Sequence, residues 1–417
     1  MLKEPQAHNK LLPHLFRQEY AKMTAVLCRH FGLKHIEIAE DIASDTFLKA
    51  SEHWAINGIP ENPTAWLYTV AKNKTKDYFK HIAVFETQVK GVIASTAPIA
   101  KDDVEFSEQI IADSQLAMIF AVCDPSNSTE AQICLALQIL CGFSVEEIAN
   151  AFLAKPEAIK KRLFRARSNL RNSNFQIKTL SAREITSRLA AVLKTLYLLF
   201  NEGYFSKTNN PQIRNECCTE ALRLTLSLTE NDDTNTAETN ALLALMCFQS
   251  SRLKARSNDK GEAVLFDEQD KSLWDQSLID RGNYYLIHAT NGNEVSKYHL
   301  EAGIAYWHTV QTTDSDKWQQ ILQLYNQLIL IEYSPITALN RLFAFAKVYG
   351  YEAAAIEAEK LQLNNNSYYH ELLGFLYACT DRDKSIFHYQ TALQLTPSPS
   401  EKATLIKKLE QLKEIKK

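Results

Sequence analysis

At 417 residues, 46% hydrophobic and 23% charged, the chain has room for roughly three domains of ordinary size, which excludes a single small domain and a disordered polymer. Only 11 glycines and 11 prolines leave too few tight turns for a large all-β or doubly wound protein, so an all-α chain is expected. The net charge of −3 hides an uneven map: no Lys or Arg lies between Asp113 and Ala154, and then Lys155, Lys160, Lys161, Arg162, Arg165, Arg167, Arg171 and Lys178 follow in one short segment.

The start MLKEPQAHNK has no apolar core of a signal peptide, and no apolar stretch approaches the ~20 residues of a membrane span, so a soluble, cytoplasmic protein is expected. The eight cysteines are scattered, with no C-x-x-C pair and no Cys/His cluster at zinc spacing, which predicts buried reduced thiols and no metal.

From about Leu11 to His81 the pattern predicts several helices, broken near Phe31-Gly32 and at residues 57–63. Asn62 is placed to cap the last of them and Pro63 suits its first position, with a helix expected to about Lys80. Residues 82–111 lose helical periodicity and end in an acidic stretch, which predicts a linker. A second helical unit runs from Asp113 to about Asn172. Within it, Ser144 and Glu147 have the spacing of a capping box, a short helix runs to about Phe152, and Leu153-Ala154-Lys155 turns into a helix opened by Pro156. Ile159, Leu163, Ala166 and Leu170 form the apolar stripe of that helix and leave the basic residues largely off it, the pattern of a helix-turn-helix.

Beyond Ala182 the chain stays helical. Leu373, Gly374, Tyr377, Ser385, Tyr389, Ala392, Leu395 and Pro397 fall near the tetratricopeptide spacing; Ala302, Gly303, Tyr306, Trp318, Tyr325, Leu328 and Pro335 form a looser copy, and Leu339 through Ala354 another. Asp267-Glu268-Gln269-Asp270, with Trp274, Asp275 and Arg281, is the best candidate for a metal or acid/base site, and a capped, solvated helix terminus accounts for it equally well. No H-E-x-x-H, G-x-S-x-G, Walker A or G-x-G-x-x-G motif is present, so a binding protein without catalytic residues or cofactor is expected.

The basic helix is the better-founded feature, because cations neutralise phosphates while residues near a helix start reach base edges. Lys155, Glu157, Lys160, Lys161 and Arg165 occupy suitable positions. In the earlier helix Lys72, Lys76 and Lys80 recur at i, i+4 and i+8 beside Asn73 and Asp77, with Trp66 before them, a pattern suited to unstacked bases.

These residues resemble the extracytoplasmic-function type of bacterial RNA polymerase sigma factor. Ala39 through Ala50 is similar to the core of sigma region two, Asn62 through Asp77 to the helix that follows it, and Ile148 through Arg167 to the region-four helix-turn-helix. Arg188 through Val192, Tyr197 through Tyr204, Leu265 through Asp270, Ser334-Pro335 and Leu339-Asn340-Arg341 resemble the boxes of a subgroup with a long helical C-terminal extension containing tetratricopeptide-like repeats.

The resemblance implies an all-α chain of five parts: region two (1–82), a flexible acidic linker (83–112), region four (113–175), a family-specific extension (176–290) and repeats (291–417). It implies that Asp41, Asp45, Phe47 and Leu48 dock on the clamp helices of the largest polymerase subunit, with the flap of the second-largest subunit as a further partner. Asn57, Gly58, Ile59, Asn73, Lys76, Asp77 and Lys80 would read and open the downstream promoter element, and Lys155, Glu157, Lys160, Lys161 and Arg165 would read the upstream one. A peptide or protein regulator is expected on the repeats. The family commonly has arginines where this chain has Lys72, Lys76, Lys80 and His81; phosphate contact survives that change better than bidentate base reading. The runner-up is a helix-turn-helix repressor or activator with a repeat-based sensor, which would need no docking helix at Glu40 through Leu48. A third reading makes the C-terminal half an enzyme.

Overall fold

The computed structural model describes residues 7–89, 104–152, 154–205, 211–256, 264, 266–292, 294–310, 315–396 and 399–414. Among them are eighteen α-helices and no strand, and no described helix is long and apolar enough to cross a membrane. The chain divides into two compact units, residues 1–202 and 203–417.

Unit 1 begins with α1 (Ala7–Phe31), α2 (Ile36–Asn57) and α3 (Pro63–Val89). Gly58, at φ +80°, ends α2 in a conformation that favours glycine, and its amide donates to the Trp54 carbonyl. Pro63 opens α3, where Asn62 Oδ1 accepts from the Ala65 amide at 3.0 Å. The helix runs nine residues past Lys80, because Ile82 through Val89 contain no Gly or Pro to stop it. The predicted linker from 83 is correspondingly shorter. Its far end is helical too: Ser107 caps α4 (Glu108–Val122), ahead of the expected start at Asp113, and Phe106 stacks on Tyr68 of α3 at 4.6 Å. The remainder of the predicted linker, residues 90–103, lies outside the described residues.

Next come α5 (Thr129–Leu135), α6 (Val145–Ala151), α7 (Pro156–Asn172) and α8 (Ala182–Tyr204). The capping box at α6 is formed: the Glu147 amide donates to Ser144 Oγ at 3.2 Å, and the Ser144 amide donates to the Glu147 carboxylate at 2.7 Å. Turn residue Leu153 lies outside the described residues. The boundary between units falls after Glu202, inside α8, rather than at 175/176. α8 is tied to unit 1 by buried Val192, Leu193 and Leu196, by the Arg188–Asp124 ion pair at 2.7 Å, and by Thr195 donating to Gln132 at 2.8 Å. The composition shift near 176 is therefore not a packing boundary.

Unit 2 comprises α9 (Pro211–Leu228), α10 (Ala237–Ser250), α11 (Gln276–Ala289), α12 (Lys297–Thr309), α13 (Ser315–Ile331), α14 (Pro335–Tyr349), α15 (Tyr351–Glu359), α16 (Ser367–Tyr377), α17 (Arg382–Leu395) and α18 (Pro399–Glu414). Every residue of α10 from Thr239 to Phe248 is buried, as expected of a helix packed on all sides, here by α9, α11 and α12. Gly282 lets α11 approach, since a Cβ there would sit 2.6 Å from the Phe248 ring. The stretches matched to repeats fall on successive helix pairs, α12 with α13, α14 with α15, and α16 with α17. In the last pair Ser385 donates to the Gly374 carbonyl at 2.7 Å; Pro397 lies outside the described residues. Seven cysteines are buried, Cys217 and Cys218 included, and Cys379 is exposed where a buried thiol was expected, because it follows the last turn of α16.

Candidate nucleic-acid interface

The sequence-predicted residues occupy three surfaces of unit 1. On α2, Asp41, Asp45 and Leu48 recur at i, i+4 and i+7 and are exposed, Leu48 by 59%. Asp45 is paired with Lys74 of α3 at 3.0 Å. Phe47 departs from the expectation of a docking contact. It is 5% exposed and sits with Phe16 and Tyr20 of α1 at ring distances of 5.1 and 6.4 Å, because position 47 falls on the stripe of Ala39, Ile42, Ala43, Thr46 and Ala50 that faces the core. An exposed aliphatic, Leu48, takes its place on the surface.

The second surface follows α2. Asn57 ends the helix and donates to the His53 carbonyl, Gly58 turns the chain, and Ile59 is 36% exposed. On α3, Asn73, Lys76, Asp77 and Lys80 recur at i, i+3, i+4 and i+7, all exposed, with Lys80 and Asp77 3.8 Å apart. The opposite side of α3 is anchored on α1, Phe79 stacking on Phe31 at 5.2 Å and Tyr78 meeting Phe31 edge-on at 5.6 Å. That packing fixes which side of α3 remains outward.

The third surface is α7. Ile159, Leu163, Ala166 and Leu170 are buried, while Lys155, Glu157, Lys160, Lys161 and Arg165 are all exposed. Glu157 and Lys160 pair at 3.2 Å, each side chain more than half exposed. Phe164, 71% exposed, lies among these residues, an exposed aromatic that the sequence reading did not single out. Its position, one residue after the apolar stripe, was the available signal.

The other arginines of the basic segment face inward. Arg167 places Nη1 and Nη2 2.7 and 2.6 Å from the two carboxylate oxygens of Glu40 on α2, and its Nε donates to Gln138 at 2.9 Å. Burial by itself would lower the Arg167 pKa; the hydrogen bonds and charge of Glu40 outweigh that and raise it above its ordinary value. Arg171 pairs with Glu37, one helical turn before Glu40. Across the same unit Arg17 of α1 pairs with Glu147 at 2.7 Å and lies 4.5 Å from the Phe143 ring, so the capping carboxylate of α6 also joins two parts of the chain. The Ser144 amide and Arg17 overcome desolvation to hold the Glu147 pKa below its usual value.

The acidic box resolves into caps. Asp270 accepts from the Ser272 amide at 2.9 Å, and Asp275 accepts from the Leu278 amide at the start of α11 at 3.2 Å. The side chain of Asp267 lies outside those described, and among the described residues no group of His, Cys, Asp and Glu is arranged to hold a metal ion.

An all-helical unit bearing these faces is a sigma-type N-terminal module: residues 15–83, spanning most of α1 through α3, match the family model of Sigma-70 region 2, which supports a sigma-factor role in promoter recognition. Residues 188–290 match a family of unknown function (DUF6596). The chain belongs to one family with the uncharacterized protein R00370 of Rhizobium meliloti (strain 1021), to which it is 30% identical over 399 residues, 93% of this chain and 92% of that one. No solved structure matches.

Proposed function

We propose that the chain is a sigma factor of the extracytoplasmic-function type that brings core RNA polymerase to particular promoters and helps open them. Asp41, Asp45 and Leu48 dock on the clamp helices of the largest subunit. Asn57, Gly58, Ile59, Asn73, Lys76, Asp77 and Lys80 meet the downstream element, and the α6–α7 helix-turn-helix presents Lys155, Glu157, Lys160, Lys161 and Arg165 to the upstream one. Unit 2 serves as a regulatory extension whose helix pairs are tetratricopeptide-like and take a peptide or protein partner. Polymerase supplies the chemistry.

The observation that carries this reading is the match of residues 15–83 to Sigma-70 region 2, together with the exposed face at Asn73, Lys76, Asp77 and Lys80 within them. The exposed cations of α7 support a phosphate-binding surface. The test is promoter-dependent transcription by core polymerase with the whole chain, using promoters from genomic fragments it binds. A transcript that depends on the chain supports the reading. Sequence-specific binding without transcription hands it to the repressor or activator.

A further inference from the structure

Unit 2 contains a buried positive site that promoter recognition does not use. Arg252 follows α10 and is only 8% exposed, yet its Nε has no hydrogen-bond partner and its Nη2 reaches only the Tyr204 hydroxyl, at 3.4 Å. Four residues on, Arg256 lies 3.8 Å from the Tyr204 ring centroid, and its buried Nη1 is also without a partner. Among the described residues neither guanidinium is paired with a carboxylate. Burying a cation without a counter-charge is strongly unfavourable, so buried Arg252, with half-buried Arg256 four residues on, calls for an anion.

The surroundings say what kind. The Arg252 guanidinium lies 5.3 Å from the Phe266 ring and 6.0 Å from Trp274, while Phe266 meets His308 at 4.9 Å and Trp274 at 6.2 Å. Trp274 also lines a cavity of about 380 Å³ with Asn283, Tyr306 and Thr309, a size that takes a small organic molecule. Trp274 Nε1 and Asn283 Oδ1 are themselves buried without partners, so this wall offers one unmatched donor and one unmatched acceptor.

We propose that this region binds a small organic anion, a carboxylate or phosphate carried on a planar unsaturated body. The anion supplies the counter-charge that Arg252 and Arg256 lack, the planar body lies against Trp274, and the cavity receives the remainder. Unit 2 is then the part of the chain that senses a metabolite.

The experiment is calorimetric titration of the full chain with benzoate and with phenyl phosphate, benzamide serving as the neutral control. Saturable binding of either anion and none of benzamide is expected, with a tryptophan fluorescence change that disappears in Trp274→Phe. Arg252→Met removes an uncompensated charge, so it is expected to keep or raise the melting temperature while weakening the anion about tenfold or more. Should that variant not fold, Arg256→Gln carries the same test. Absence of saturable binding by both anions, equal binding of benzamide, or unchanged affinity in the variants would overturn the proposal and leave ordered water as the partner of these groups. The readout is binding, so a negative result leaves the promoter reading standing.

Discussion

Arg167 of α7 grips Glu40 of α2 through both terminal guanidinium nitrogens, at 2.7 and 2.6 Å, with each side chain 16% exposed. The pair joins segments 127 residues apart, and Arg171 to Glu37 repeats the contact one turn away. Deleting one partner strands a buried charge, so Arg167→Ala is expected to cost unit 1 about 3 kcal/mol. The double variant Glu40→Gln with Arg167→Met recovers most of that loss. Hydrogen exchange of the α7 amides in the whole chain measures both, and equal protection in all three forms would contradict the assignment.

The same clasp bears on polymerase binding. If promoter contact requires α3 and α7 to reach separated DNA elements, loosening the clasp favours the bound form, and Arg167→Ala binds core polymerase more tightly than the wild type. Affinity measured by fluorescence anisotropy decides the point. Weaker binding would make the clasp part of the docked conformation.

DNA and polymerase binding should separate by mutation. Lys160→Ala with Arg165→Ala removes two exposed cations of α7, lowering promoter affinity and flattening its salt dependence by about one unit of slope for each phosphate no longer neutralised. Leu48→Asp places a charge on the exposed face of α2 and lowers core binding while leaving DNA affinity unchanged. Parallel titrations of promoter DNA and core polymerase read both, and equal losses in both variants would sink the division of labour.

Most of unit 1 was legible because its signals are local. Asn62 before Pro63, Ser144 three residues before Glu147, and the stripe of Ile159, Leu163, Ala166 and Leu170 each define a helix start or a buried face within one or two turns. Phe47 was misplaced because a motif names a segment, whereas the 3.6-residue period decides which of its side chains points inward. The inward turn of Arg167 and Arg171 was hidden for another reason: their partners, Glu40 and Glu37, are well over a hundred residues away. Arg252 was equally silent, since what marks it is that no carboxylate among the described residues pairs with it in three dimensions.

Gly282 tests the packing of unit 2. A Cβ there would lie 2.6 to 2.9 Å from three atoms of the Phe248 ring, which is held inside the all-buried α10. The gain in helix propensity from Gly282→Ala, about 1 kcal/mol, is expected to be outweighed by an overpacking cost of about 1–3 kcal/mol. A lower melting temperature in scanning calorimetry is the expected result, with the Phe248→Leu background relieving it. A higher one would mean that α11 moves away from α10 at no cost.

His308 gives unit 2 a pH dependence whose sign follows from its surroundings. Burial, then the charges of Arg252 and Lys317, push its pKa down to about 3, so the ring is neutral in the folded protein. In the unfolded chain it takes up a proton near pH 6.5. Below that pH the unfolded state binds a proton that the folded state refuses, and stability falls by up to about 1.4 kcal/mol per pH unit as the pH drops toward 3. His308→Phe retains an aromatic ring between Phe266 and Trp318, removes a buried nitrogen that has no partner, and abolishes this contribution. Because other groups titrate over the same range, the quantity to measure is the stability difference between variant and wild type. It should be flat above pH 7 and shift steadily in favour of the variant from pH 6.5 to 4.5. A difference independent of pH would show that His308 takes up its proton in the folded protein as readily as in the unfolded chain.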